Sequence, residues 1–297
     1  MKPVWDVVSP ARPTGLPGVV LAGFRDGGAA SVGQRVIPHP SVMLALDFGP
    51  GSPVVTDAAG HELRGSVVAG PGLGFGGSVW VRGAGVECVQ VRLSPLLAGA
   101  VLGVPAVELD GVVALEDVWG RETARIRERL AETSSWAERF ALAETLLERR
   151  CAERVLVDPE VAWAWRRILV GGGRLRVETL ADEVGWSRKR LWSRFRAQVG
   201  LPPKRAAQLV RFDRAVHRLV AGEVAARVAA EGGYADQSHL HRDVAAFAGT
   251  TPTAVAREPW LAVDDVAWPG EGGTGGQDAA RTSTPVSPKV SLQVSAR

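Results

Sequence analysis

Short apolar runs broken by Gly, Pro and Asp clusters fill the first third of the chain. Residues 42–48, 66–68 and 79–81 are such runs, and 86–93 ends in strict apolar/polar alternation. Alternation with a period of two marks a half-buried strand, because successive side chains leave opposite faces. Many short strands with frequent turn residues over about 19–95 predict a barrel or jelly roll. Residues 1–18, rich in proline and glycine, read as an extended arm.

The period changes near Pro95. Residues 96–102 predict a short helix, and 117–132 and 136–154 two longer ones. In the last, Phe140, Leu142, Ala143, Leu146 and Leu147 fall on one helical face, with Glu and Arg on the other. Asp158-Pro159-Glu160 reads as a helix start, with a capping acid, a proline in the first turn and a glutamate favoured by the dipole. Gly171-Gly172-Gly173 ends that helix, and the chain stays helical with short breaks to about Arg257. After Trp260 the composition turns to Gly, Ser, Thr and Pro, which predicts a disordered tail.

Two stretches in the helical part carry the pattern of a helix-turn-helix. In the first, Leu180, Ala181, Val184, Gly185, Trp186, Ser187 and Leu191 are the fixed positions. Ala181 must be small where the second helix crosses the first. Gly185 supplies the turn, where a positive φ is easiest without a Cβ. Ser187 can cap the second helix, which would present Arg188, Lys189, Trp192, Ser193 and Arg196 to the major groove. The second pattern repeats this logic with Ala229 at the crossing, Gly233 in the turn, Tyr234 and Leu240 in the core and Asp236 as the cap. Gln237, Ser238, His239, His241 and Arg242 then face the groove. A basic helix over 204–219 joins the two units.

Charge sharpens this picture. The net charge of the 297 residues is only +3, but 187–218 holds ten Lys and Arg against the single acid Asp213. A local excess of +9 is the footprint expected of a surface that meets phosphates. The region 220–258 carries −2, so anchoring is expected from the first unit. Arg188 and Arg205 are expected to hold the DNA backbone, and Lys189, Gln237 and Arg242 to choose the sequence. No run of about 18 apolar residues suggests a membrane span. Two cysteines and an early acid argue for a reducing cytoplasm and against secretion.

The second unit, from Gly233-Tyr234-Ala235-Asp236-Gln237-Ser238-His239-Leu240 through Phe247, Gly249 and Thr251-Pro252, resembles the signature of AraC/XylS-type transcription regulators. Leu180-Ala181, Gly185-Trp186-Ser187, Leu191, Phe195, Gly200 and Pro202 resemble that family's first unit. The resemblance covers about 159–257 and implies a seven-helix DNA-binding domain with two recognition helices. Arg194 departs from it, standing where the family has an apolar residue. It would leave that side of the helix wetter or reach a phosphate. The N-terminal half resembles, more weakly, a cupin-like regulatory domain. The expected architecture is therefore multi-domain α+β. Residues 1–155 form a β-rich cupin-like barrel with a helical connector, for effector binding or dimerisation. Residues 159–260 form the all-α DNA-binding domain, and 261–297 a disordered tail. Double-stranded DNA is the expected partner. A small-molecule effector, RNA polymerase and a second copy are further candidates, with no cofactor, metal or catalytic residue.

Other signals weigh less. Gly72-Leu73-Gly74-Phe75-Gly76-Gly77 has the spacing of a dinucleotide loop, but a strand-like stretch follows where a helix is required. His39 and His61 lack the close grouping of a metal site, and His239 and His241 do not share a helical face. Cys88 reads as a small core residue, with a redox sensor as the alternative. Trp163 and Trp186 read as core. Trp192 reads either as an outward contact to DNA or as packing on the linking helix. A cupin-fold catalyst and a methyl-accepting repair protein are the competing functions, and Cys88 and Cys151 sit in no acceptor motif that would favour the second.

Overall fold

The computed structural model describes residues 5–26, 33–57, 59–72, 79–109, 111–152, 157–258, 261, 267 and 268. Ten strands are described: β1 (Trp5–Val8), β2 (Val19–Asp26), β3 (Gln34–Val36), β4 (Val42–Asp47), β5 (Val54–Thr56), β6 (Glu62–Arg64), β7 (Val67–Ala69), β8 (Val79–Arg82), β9 (Glu87–Leu93) and β10 (Val112–Ala114). They form two antiparallel sheets, ordered β1-β2-β9-β4-β7-β10 and β3-β8-β5-β6. The sheets are open, so the cupin-like barrel of the sequence reading is two facing sheets and not one closed ring. The stretch 73–78, which holds most of the glycine string, lies outside the described residues.

Helices cover one face of the larger sheet: α1 (Pro95–Leu102), α2 (Leu115–Trp119), α3 (Glu122–Glu132) and α4 (Trp136–Cys151). Val42, Leu44 and Leu46 of β4 and Val89, Val91 and Leu93 of β9 share a core with Leu130, Phe140, Ala143 and Leu147. The opposite face, with Met43, Ala45, Asp47, Cys88, Gln90 and Arg92, lines an internal cavity. Strand β9 is therefore buried on both faces, not half-buried as its alternation suggested. Its polar residues mark a lined cavity instead of solvent. The helix expected over 117–132 is two helices, because Gly120 adopts φ +57 and its N–H closes α2 on Glu116 O. The expected arm is partly a strand, with Trp5 buried and its Nε1 donating to Gln34 Oε1 at 2.7 Å.

The C-terminal part holds seven described helices: α5 (Pro159–Val170), α6 (Val177–Glu183), α7 (Arg188–Val199), α8 (Pro203–Val220), α9 (Ala225–Gly232), α10 (Gln237–Ala248) and α11 (Pro252–Val255). Leu180, Leu191, Phe195, Phe212, Val216, Leu240, Val244 and Phe247 belong to one core. Ala181 and Ala229 are buried at the crossings, and Gly185 and Gly233 make their turns at φ +67 and +81. Ser187 and Asp236 cap α7 and α10 by accepting from the Arg190 and His239 N–H groups. Trp165 and Trp186 are buried, and Trp163 packs part-buried against the same core.

Several cations that looked like a DNA-facing run are spent inside the fold. Arg211 of α8 donates to Asp243 of α10 at 2.7 Å, and its guanidinium lies 4.6 Å from the Tyr234 ring centroid. Arg218 donates to both Glu223 and Glu231, tying the end of α8 to α9. Asp158 stands at the N-cap of α5 without capping it. Its carboxylate instead takes both arms of Arg194, at 2.6 and 2.8 Å. Arg194 thus ties α7 to α5, neither wetting an inner face nor lying free for phosphate. The tail expected from residue 261 also needs correction at its start. Leu261 is buried in the helical core, and Ala267 and Trp268 are buried against Trp5 and Phe24 of the β domain.

Arg211 and Asp243 are both largely buried, so losing either strands a charge. We expect Arg211→Ala to destabilise the protein by about 3–5 kcal/mol in urea unfolding. Arg211→Met with Asp243→Leu should recover most of that loss. An unchanged midpoint for the single variant would show the pair to be idle.

Candidate nucleic-acid interface and the cavity behind it

The first recognition helix is α7. Leu191, Phe195 and Val199 turn into the core, which leaves the other faces to solvent. Arg188, Lys189, Trp192, Ser193 and Arg196 are all exposed. Trp192 is 47% exposed, and the Arg196 guanidinium lies 5.6 Å from its ring centroid, so about half of the indole is open to solvent. Arg188 makes one exposed ion pair with Glu178 at 3.4 Å. Such a pair contributes little and yields readily to a phosphate.

The second recognition helix is α10. Gln237, Ser238, His241 and Arg242 are exposed along one side. His239 is not among them. Its ring turns back to accept from the Ala235 N–H at 3.3 Å, approaches Arg211 at 3.4 Å and meets Tyr234 edge-on. It supports the turn and does not join the outward row. Arg205, expected on the DNA backbone, is half-buried with its guanidinium 3.7 Å from the Phe247 ring centroid. Burial pulls its pKa below the ordinary arginine value. The sequence counted these side chains as surface because position along a helix does not reveal which neighbour lies over it.

Both recognition helices are held at their C-terminal ends by the β domain. Arg35 of β3 donates to Ala248 O at 2.7 Å and Gly249 O at 3.1 Å, where α10 ends, and to Glu258 at 3.1 Å. The other face of Arg35 lies 4.7 Å from the Trp80 ring centroid. Helix α7 ends at Gly200, with φ +87. A Cβ there would stand 2.8 Å from Ala106 O of the N-terminal domain. Between these contacts lies a buried polar relay. Arg92 Nη2 donates to His39 Nε2 at 2.9 Å, which leaves the proton on Nδ1 to donate to Asp213 of α8 at 2.7 Å. Burial would raise the Asp213 carboxyl, but His39, His217 and Arg92 hold it below the usual aspartate range.

Behind this interface lies a cavity of about 80 Å³ between the two sheets. Its walls are mostly apolar, with seven valines beside Trp5, Phe24 and Trp268, and its polar residues are His39, Asp47, Gln90 and Arg92. Cys88 also lines it, but burial pushes the thiol up to about 12, which removes the reactive thiolate a redox sensor needs. His61 is exposed and paired with Asp57. Among the described residues no group of three or more His, Cys, Asp or Glu could hold a metal ion, and no helix is long and apolar enough to cross a membrane. The sequence reading passed over Arg35 and Arg92. The available signal was Gln90 and Arg92 recurring on one face of an otherwise apolar strand.

Comparison with known proteins places the C-terminal part. Residues 180–258 match a family model described as a helix-turn-helix domain. No curated protein matches the chain. Among solved structures, ToxT from Vibrio cholerae is similar at 8% identity and TM-score 0.45, over 81% of this chain and 98% of that one. ToxT bound to an unsaturated fatty acid, from the same organism, is similar at 8% identity and TM-score 0.45, over 82% and 96%. The C-terminal domain of AraT, a response regulator from Geobacillus stearothermophilus, is similar at 19% identity and TM-score 0.33, over 35% and 88%. The fold and the matched segment define a DNA-binding domain built of two helix-turn-helix units. The matched segment spans both helix-turn-helix units, and the protein is a DNA-binding transcription regulator.

The placement of Arg205 has a direct consequence. We expect Arg205→Ala to lower stability by about 1–2 kcal/mol through the lost contact with Phe247. The salt dependence of DNA binding should stay within error of the unmodified protein. A slope shallower by about one unit would instead put Arg205 on a phosphate.

Proposed function

We propose that one copy of the chain reads two successive major-groove segments, α7 taking one and α10 the other, and that the β domain governs how the two readers are set. In this reading residues 1–155 form the effector-binding part and 159–260 the DNA-binding part. The observation that carries it is the double hold on the recognition helices. Arg35 grips the end of α10, and the Gly200 end of α7 seats against Ala106 O. Helix α8, which joins the two units, has 18 residues and is about 27 Å long. The flanking helices bring its reach to the roughly 34 Å between major grooves one turn apart.

The roles within each reader follow from exposure and charge. Arg188 and Arg196 serve the backbone, and Lys189, Trp192 and Ser193 serve the bases. In the second unit Gln237, Ser238, His241 and Arg242 choose the sequence, with less electrostatic anchoring because Arg211, Arg218 and Arg227 are paired with acids. Phosphate contacts set register and affinity, whereas base-edge contacts set sequence. A small molecule in the cavity would be the input. Val36, next to Arg35 on β3, lines it, as do His39 beyond that strand and Arg92 of β9.

Selection of bound DNA from a random pool, followed by footprinting, tests this directly. We expect two protected grooves about ten base pairs apart. A Gln237→Ala/Arg242→Ala variant should lose the second groove only, each change costing about 1–3 kcal/mol at one base pair. Arg35→Ala should bind the same two half-sites but tolerate altered spacing between them. One protected groove in the unmodified protein would refute the two-reader arrangement. Unchanged spacing preference in the Arg35 variant would separate the β domain from reader placement.

A further inference from the structure

The two ends of the cavity are not equally satisfied. At one end Arg92 has His39 as an acceptor at 2.9 Å, and its guanidinium lies 4.2 Å from the Trp268 ring centroid. At the other end stands Asp47, the last residue of β4, 1% exposed. Neither of its carboxylate oxygens has a hydrogen-bond partner. The nearest cation is Arg127 of α3 at 3.7 Å, a half-exposed side chain whose Nη2 already donates to Gly49 O. The Gly49 N–H, close by, donates to Glu87 O. From β9 the facing group is the Cys88 thiol, which offers at most a weak donor.

A buried carboxylate whose neighbouring donors, Arg127 and the Gly49 N–H, are committed to other acceptors is costly, and a fold that needed only packing here would be better served by an apolar residue. The surroundings narrow what could complete it. Phe24, Cys88 and Asp47 lie in one row across β2, β9 and β4. Trp5 and Trp268 cluster with Phe24 and Cys88 beside that row. Aromatic faces tolerate a cation, and an ammonium brings three donors for two acceptor oxygens.

We propose that the cavity is the receptor site of a small organic amine with a compact apolar body, whose ammonium group donates to Asp47 while the body lies against the valines and aromatic rings. This rests on the reading of the β domain as an effector-binding unit and names the ligand class for it. An anion is disfavoured at the Asp47 end, since the carboxylate repels it. The cavity, about 80 Å³, suits a molecule the size of butylamine or smaller. Burial raises the Asp47 carboxyl to about 6, with Arg127 and the Gly49 backbone opposing only in part. Ligand-free protein should therefore hold that proton more tightly folded than unfolded. The Asp47 contribution to stability is then fully present at low pH and is lost as pH rises through about 6.

The test uses the full chain and three probes of equal size: n-butylammonium, 1-butanol and butyrate. Calorimetric titration and thermal melts are run at about pH 7.5, where Asp47 is ionised. The amine should bind and raise Tm, the alcohol should bind at least about tenfold more weakly, and butyrate should not bind. Asp47→Asn should weaken the amine by about tenfold or more, spare the alcohol and raise the ligand-free Tm. In the unmodified protein, amine affinity should fall about tenfold by about pH 5 as Asp47 takes up a proton, which keeps the test decisive should the variant fail to fold. Preferential binding of butyrate, or equal binding of amine and alcohol at both pH values, would overturn the amine assignment while keeping the cavity as an effector site. Binding of none of the three, with no Tm gain in Asp47→Asn, would mean that water alone satisfies Asp47, and the effector reading of the cavity would fall with it.

Discussion

An α-helix ends in carbonyls that have no partner within the helix, and the rest of the ending must supply one. For α10 that supply comes from outside the DNA-binding domain. Arg35 reaches from β3 to Ala248 O and Gly249 O, and the same guanidinium holds Glu258 beyond α11. A charged donor on helix-end carbonyls also meets the negative end of the helix dipole, so the contact is favoured twice. Helix α7 ends more conventionally, in a left-handed glycine whose N–H returns to Arg196 O. Yet the space a side chain would take at Gly200 is filled by Ala106 O. The β domain is therefore part of how both reading helices end.

The use of arginine divides along the same line. On α7 the cations at 188 and 196 point to solvent, with only weak partners. On α8 Arg205, Arg211 and Arg218 hold neighbouring helices by stacking and by carboxylates. The planar guanidinium suits both tasks, since it stacks on rings and matches carboxylates with paired donors. A net charge over a segment adds the two kinds together and so overstates the surface that phosphates meet.

Legibility in the sequence follows contact distance along the chain. The helix-turn-helix units close within about twenty residues, so Ala181, Gly185, Ser187 and Leu191, and later Ala229, Gly233, Asp236 and Leu240, stood at readable spacings. The resemblance to AraC/XylS-type regulators rested on those same positions, and the matched segment agrees with it. The facing of His239 was not legible, because its partners Arg211 and Tyr234 come from α8 and the preceding turn. Nor was the domain interface. Arg35 meets Glu258 across 223 residues and His39 meets Asp213 across 174, and no local pattern registers such pairs. The cavity was half legible: the alternation of β9 was visible, but its polar face is covered by the β3-β8-β5-β6 sheet across the cavity, and no local pattern registers that packing.

Whether a ligand between the sheets can alter DNA reading depends on differential contact, since a ligand shifts an equilibrium only by binding two states unequally. Strand β3 and the turn after it give that difference a physical path. Arg35 holds α10, Val36 lines the cavity, Ile37 is packed into the helical core and His39 joins Arg92 of the cavity to Asp213 of α8. A strand presents alternate residues to opposite faces, so Val36 cannot be displaced without moving Arg35 beside it. The relay from Arg92 to Asp213 is buried, and a buried charged network tolerates complete pairing or separation better than partial strain. Close packing adds to this, since interfaces of this kind switch between discrete arrangements and do not deform smoothly. On the proposed reading, small changes at the cavity wall would be converted into a choice between holding and releasing the end of α10, while α7, seated through Gly200 on the other side of the interface, would keep its place as the anchor.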